Sequence, residues 1–218
     1  MRRIILIFFI LWPISLHADL NFNYGSGTAA KTDFADKSLI TSMEKVGDRI
    51  YAVGVHGIII YSDNNGDTWT QAEYVPYQNT ITDISCSSEK MCWATGHDAT
   101  IIHSSDGGLN WVKQYEDYDF DAPLLSIHMY DEKEGLAIGA FALSLRTSNG
   151  GESWDYLFLD DDDYQPHLNY VYGDNQAWRK SAKDEGYAVG EIGKYYISDD
   201  RGLNWLVVDT GYIGSYWS

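Results

Sequence analysis

Thirty-two acidic residues against fifteen basic ones make carboxylate chemistry the first thing this 218-residue sequence could support. Two carboxylates facing each other across a cleft hydrolyse glycosidic bonds, and oxygen ligands in number can hold calcium. Neither arrangement is written out here. The acid run Asp160–Asp163 lacks the Asp-x-Asp-x-Asp-Gly spacing of a calcium loop and reads as a solvated connection. His56, His97 and Asp98 fall where turns are expected and could converge near an axis. Isolated histidines more often satisfy local hydrogen bonds, so no metal site and no cofactor is expected. No glycine-rich phosphate loop and no Gly-x-Ser-x-Gly nucleophile turn occurs.

The polar residues that recur with fixed neighbours belong to one turn written four times. Its copies run Ser62-Asp63-Asn64-Asn65-Gly66-Asp67-Thr68-Trp69, Ser104 to Trp111, Thr147 to Trp154 and Ser198 to Trp205. Each reads hydroxyl, any residue, Asp or Asn (Asn64, Asp106, Asn149, Asp200), any residue, Gly, two more residues, Trp. The leading hydroxyls of Ser62, Ser104, Thr147 and Ser198 and the Asx side chains can bond turn amides. Gly66, Gly108, Gly151 and Gly202 stand where a positive φ is expected, which glycine tolerates. Trp69, Trp111, Trp154 and Trp205 are apolar plates fit to pack between layers. These polar groups therefore serve the turn itself rather than a substrate.

A second repeat precedes each turn: Tyr51-Ala52-Val53-Gly54, Trp93-Ala94-Thr95-Gly96, Leu136-Ala137-Ile138-Gly139 and Tyr187-Ala188-Val189-Gly190. Its glycine lies fifteen residues before the Trp in all four units. Trp-to-Trp spacings of 42, 43 and 51 place a single insertion in the last unit, where 175–183 could be helical. Short β-rich runs flanking such turns read as hairpins. Four strands per ~40–45 residues is the size of a propeller blade, whose faces neighbours must cover. The expected fold is all-β: a β-propeller of about four four-stranded antiparallel blades, near 38–74, 80–116, 123–159 and 167–209. It would be a small closed ring or a partial arc, with 210–218 closing it or hanging free.

The turn resembles the Asp-box, or BNR, repeat of β-propellers. The paired Ala-Val-Gly strand and Asp-box resemble more narrowly the photosystem II assembly and stability factors and their bacterial relatives, over roughly residues 38–209. That resemblance implies a protein-docking or assembly role; photosystem II binding belongs to particular members. Asn64 and Asn149 in place of Asp, and Thr68 as the one Thr before a Trp, show that the copies have drifted. Sialidases carry Asp-boxes too, and their resemblance would require an arginine triad, a Tyr–Glu nucleophile pair and an Asp acid. Past the first residues the arginines are Arg49, Arg146, Arg179 and Arg201, and three of these lie in or beside box turns or at a strand start. Arg179 alone forms no triad. A non-catalytic module is expected; a carbohydrate-binding or glycosidase-related module is the alternative, and a degraded paralogue of little function a third.

Partner contacts are expected on the loops opposite the boxes. These include the turns at Val55-His56, His97-Asp98, Ala140-Phe141 and Glu191-Ile192, read as ringing the central channel, and the acid–aromatic connections. Tyr118, Phe120 and Tyr164 are the candidate contact residues, because aromatic side chains between acids give contact area at low entropic cost.

Met1-Arg2-Arg3, an apolar segment to Leu16 and Ala18-Asp19 read as a signal peptide over 1–18, too short in its apolar part for a spanning helix. Residues 19–37 read as a flexible lead-in and 38–218 as the propeller domain. Removing 1–18 takes the net charge from −17 to −19 and leaves no later segment able to insert in a membrane. Such a surface repels nucleic acid and anionic lipid. The expected partner is a protein in a membrane or exported complex, with a second copy completing the ring as a further expectation. Cys86 and Cys92 flank a short turn, and in a periplasmic or secreted protein the pair suggests a disulfide across a hairpin.

Overall fold

The computed structural model describes residues 27–120, 122–159, 165–173 and 185–216. Sixteen strands form four antiparallel sheets, each with its strands in chain order from first to fourth. Blade 1 holds β1 (Ile40–Val46), β2 (Arg49–Gly54), β3 (Ile59–Ser62) and β4 (Thr70–Gln71). Blade 2 holds β5 (Ile81–Cys86), β6 (Cys92–Gly96), β7 (Ile101–Ser104) and β8 (Val112–Tyr115). Blade 3 holds β9 (Leu124–Met129), β10 (Gly135–Gly139), β11 (Ser144–Thr147) and β12 (Asp155–Tyr156). Blade 4 holds β13 (Leu168–Gly173), β14 (Gly186–Gly190), β15 (Lys194–Ser198) and β16 (Leu206–Asp209). No helix among the described residues is long and apolar enough to cross a membrane.

The first strands sit beside one another, β1 with β5, β5 with β9 and β9 with β13, so they line the axis; β13 and β1 are not packed together in this way. The result is an arc of a β-propeller. The turns between second and third strands reach the innermost strand of the next blade: Val55–Gly57 lies against β5 and Ala140–Ala142 against β13.

Blades adhere through apolar faces. Trp111 is fully buried between blades 1 and 2 with Tyr51, Val53, Ile84 and Ile102. Trp154 packs between blades 2 and 3, and Trp205 between blades 3 and 4. Each indole thus seats on the preceding blade. Among the described residues no blade precedes Trp69; its neighbours include Ile60 and Ala35, the latter in a short 3-10 turn of the lead-in. The lead-in at 27–37 runs along blade 1, with Ala29 N–H donating to the Val75 carbonyl at 3.0 Å and Gln71 Nε2 to that of Ala30 at 2.9 Å. The signal-peptide and insertion readings, at 1–18 and 175–183, lie outside the described residues. Cys86 and Cys92 form a disulfide between paired β5 and β6 positions.

A polar seam crosses the arc at the axis. A register shift occurs early in the first strand's pairing in every blade. Bulges re-aim side chains, and the shifted residues Thr41 and Thr82 donate to the carbonyls of Ile81 and Leu124 in the next blade, each at 2.6 Å. Beside them, Asp83 accepts Ser42 Oγ of blade 1 at 2.7 Å, its neighbour Ile84 N–H at 2.9 Å, and Ser126 Oγ and Ile127 N–H of blade 3 at 2.8 and 3.0 Å. Ser126 Oγ in turn accepts Val171 N–H of blade 4 at 3.2 Å. Two residues along, Glu44 accepts Cys86 N–H at 2.6 Å and Ser85 accepts Met129 N–H at 3.0 Å.

Burial pushes the Glu44 carboxyl up to about 8, with the Cys86 N–H opposing and the charge of Asp83 adding. A carboxyl whose folded pKa lies above its unfolded one binds more protons when folded, so stability falls as pH rises between the two values. Glu44→Gln keeps the acceptor for Cys86 and removes the titration. Its urea-unfolding free energy relative to wild type is expected to grow steadily from about pH 5 to about pH 8. A difference independent of pH would show that Glu44 is not held protonated.

Candidate protein-binding groove

The two ends of the arc's strands are used differently, and the box turns make up one of them. In each box the leading hydroxyl takes the glycine N–H: Gly66 to Ser62, Gly108 to Ser104, Gly151 to Thr147 and Gly202 to Ser198, at 2.8 to 2.9 Å. All four glycines have φ between 78° and 91°. At Gly108 a Cβ would also stand 2.7 Å from the Tyr51 ring of the preceding blade. The drift between boxes is chemically matched. Where the box has Asp, as at 106 and 200, an Asn four residues on gives its NH2 to the second carboxylate oxygen. Where it has Asn, as at 64 and 149, a Thr or Ser hydroxyl four residues on accepts the Asn NH2 instead.

Two arginines on this side, Arg49 and Arg201, join blades, and a third, Arg146, pairs within blade 3. Arg49 pairs with Asp63 and donates to the Gly107 carbonyl at 2.6 Å. Arg201 pairs with Asp131 and Glu134, and Arg146 with Glu134. Arg179 lies outside the described residues. None of the three described arginines stands free to clamp a substrate carboxylate.

The opposite side holds a cavity of about 260 Å³ beside the junction of blades 3 and 4. The turn after β10 builds one wall: Phe141 takes φ 55°, the adjacent Ala142 N–H donates to the Pro166 carbonyl at 2.8 Å, and the Phe141 ring lies edge-on to His167. Tyr156 of β12 and Phe158 and Leu159 beyond it build the second wall, with Phe120 at the mouth and Leu168 and Tyr196 among the lining residues. Phe141 and Tyr156 are each 51% exposed and Phe158 83%. Large apolar side chains held open in one concavity are the usual feature of a recognition site.

The rim is acidic. Tyr156 OH donates to Asp117 Oδ2 at 2.7 Å and accepts Tyr115 OH at 3.3 Å, while Asp117 Oδ1 also takes the N–H groups of Asp119 and Phe120. The Tyr156 hydroxyl holds the Asp117 carboxyl below its ordinary range, assisted by those amides. The hydrogen bond from Tyr115, then burial and Asp117, raise the Tyr156 phenol. Lys113 ion-pairs with Glu116 on the same connection and lies near the Tyr118 ring.

Of the candidate contact residues, Phe120 lines the groove, Tyr118 is exposed beside it without lining it, and Tyr164 lies outside the described residues. Tyr156 and Phe158 went unnoticed in the sequence. Phe141 was reached only through the Ala140-Phe141 turn, one of the loops expected to meet a partner, and not as a candidate contact residue. Asp98 accepts from Asn79 Nδ2 at 2.9 Å, and among the described residues no three His, Cys, Asp or Glu side chains gather as a metal site.

A model of the family described as photosynthesis system II assembly factor YCF48 matches residues 70–215. The chloroplastic photosystem II stability/assembly factor HCF136 of Arabidopsis thaliana is 29% identical over 114 residues, covering 50% of this chain and 26% of that protein. The photosystem II assembly lipoprotein Ycf48 of Synechococcus sp. (strain CC9902) is 25% identical over 155 residues, covering 70% of this chain and 43% of that one. The chain thus spans less than half the length of these curated relatives. Among solved structures, YCF48 bound to D1 peptide superposes with a TM-score of 0.60 at 18% identity, over 79% of this chain and 54% of that one. An ancestral GH74 enzyme, AFV00434, gives 0.59 at 15% identity, over 83% of this chain and 24% of that one. At such identities these superpositions show the fold alone.

Tyr156→Phe removes the hydroxyl that Asp117 leans on. The Asp117 carboxyl is expected to titrate at higher pH in the variant, followed by NMR of its side-chain carbonyl; an unchanged titration would remove Tyr156 from the rim network.

Proposed function

The chain belongs to the photosynthesis system II assembly factor YCF48 family, and from that premise we propose that it is an exported, non-catalytic docking module which holds a segment of a partner protein in the groove between blades 3 and 4. The observation that carries this reading is the groove itself: three open aromatic or phenolic side chains, Phe141, Tyr156 and Phe158, around a cavity large enough for one or two apolar side chains. Aromatic anchors of this kind supply most of the binding energy in protein interfaces.

The carboxylates of Asp117 and Asp119 beside the groove favour a segment with Lys or Arg next to its apolar anchor. A relative seen with a D1 peptide supports the choice of a peptide-like ligand from an assembling complex. Export is supported by the Cys86–Cys92 disulfide, since such bonds persist in oxidising compartments. The absence of catalysis is supported by the described arginines, all engaged in ion pairs within or between blades.

A random-peptide display library selected on the full chain tests this directly. Bound peptides are expected to carry an apolar or aromatic residue next to Lys or Arg. Phe141→Ala and Phe158→Ala are each expected to weaken binding about tenfold, roughly 1.4 kcal/mol, with unfolding unchanged because both side chains are exposed. Peptide affinity indifferent to both changes, or selective binding on a glycan array instead, would overturn the reading.

A further inference from the structure

β12, the outermost strand of blade 3, borders the groove with its outer edge. Two residues turn their backbone groups inward to β11: Asp155 is paired with Arg146, and Leu157 N–H donates to the Ser144 carbonyl at 2.9 Å. Alternation then turns the N–H and C=O of Tyr156 outward. Among the described residues no hydrogen bond reaches either group. The side chains open the same way. Tyr156 bonds to Tyr115 of blade 2, whereas Leu157 packs in the cluster shared with blade 4, so the two point to opposite faces of the sheet. Both line the cavity, as do Phe158 and Leu159 after them. A cavity that touches both faces of a strand is open along its edge.

Blade 1 shows what such an edge does when an extended chain lies beside it. Counted from the box Trp, Gln71, Ala72 and Glu73 correspond to Tyr156, Leu157 and Phe158. Ala72 N–H donates inward to the Ile59 carbonyl at 2.9 Å, as Leu157 does to Ser144. The outward groups find partners. Lys31 Nζ of the lead-in donates to the Gln71 carbonyl at 3.2 Å, and Ala29 N–H to that of Val75 at 3.0 Å. Glu73 N–H donates to the Leu109 carbonyl of the second box at 2.7 Å. Lys31 also stands 3.2 Å from the Glu73 carboxylate, and Ala29 packs against the core between blades 1 and 2. The lead-in is therefore an extended segment on an outer edge, with an apolar residue turned in and a lysine against an acid.

We infer that the partner segment binds blade 3 in the same way, as a strand added to its outer edge. Its backbone pairs with the outward N–H and C=O of Tyr156. An apolar side chain enters the cavity lined by Phe141 and Phe158, and a Lys or Arg meets the carboxylate of Asp117, which the Tyr156 hydroxyl holds at the edge. Strand addition draws affinity from main-chain hydrogen bonds and selectivity from pockets for alternate side chains. This mode rests on the docking role proposed above and adds to it the conformation of the partner.

Two measurements on the full chain test it, both with a peptide taken from the display selection. The peptide is N-methylated at one backbone nitrogen at a time. Binding is expected to weaken about tenfold at alternate residues around the apolar anchor, where an N–H faces β12, and to hold at the residues between them. Hydrogen exchange of the Tyr156 amide, read by NMR, is expected to slow about tenfold at saturating peptide. A scan without alternation, or a Tyr156 amide that exchanges as fast with peptide bound as without it, overturns strand addition while the groove reading stands. A selection that yields no peptide removes both.

Discussion

One half-buried carboxylate ties three of the four sheets. Asp83 projects from the inner strand of blade 2, where burial raises its pKa against the pull of its donors, Ser42, Ile127, Ser126 and Ile84. A buried carboxyl is tolerable only when its oxygens are supplied with donors, and here two of those donors come from blade 3 and one from blade 1. Ser126 extends the chain to blade 4 by accepting Val171 N–H. Apolar burial is non-directional and would let neighbouring sheets slide. The seam sets their register.

The parallel row of acceptors shows how the same position is filled when the acid is absent. Glu44 and Ser85 each take an amide from the next blade, whereas His128, third in the row, has Nε2 buried without a hydrogen bond and held beside Gly173 by packing. Burial pushes that imidazole down to about 4, so it stays neutral and works as a flat spacer, edge-on to Tyr130. Blade 4 breaks the row with Tyr172, and the neighbouring one with Tyr170. The end of the arc is aromatic where its interior is polar.

Much of this architecture is legible in the sequence because it repeats. The box turn, the strand fifteen residues before its Trp, and the 42- and 43-residue spacing identify the blades, and the hairpin across Ser87–Lys90 brings Cys86 and Cys92 into pairing. The seam was not legible: Ser42, Asp83 and Ser126 look like ordinary polar residues in alternating strands. Their joint role needs the early bulge and the stacking of first strands, neither of which leaves a local pattern. The groove was half legible. Acid–aromatic composition led to Phe120, while Phe141 opens outward because its backbone enters the left-handed region, a turn that a Phe does not advertise.

The most direct test of the seam is a double-mutant cycle between Ser42→Ala and Ser126→Ala in urea unfolding. The two hydroxyls lie in different blades and share only the Asp83 carboxylate. If that carboxylate couples the blades, losing one donor changes what the other is worth, and the interaction energy is expected to exceed about 0.5 kcal/mol. Strictly additive losses would show that each serine acts locally and that the sheets are registered by their apolar faces alone.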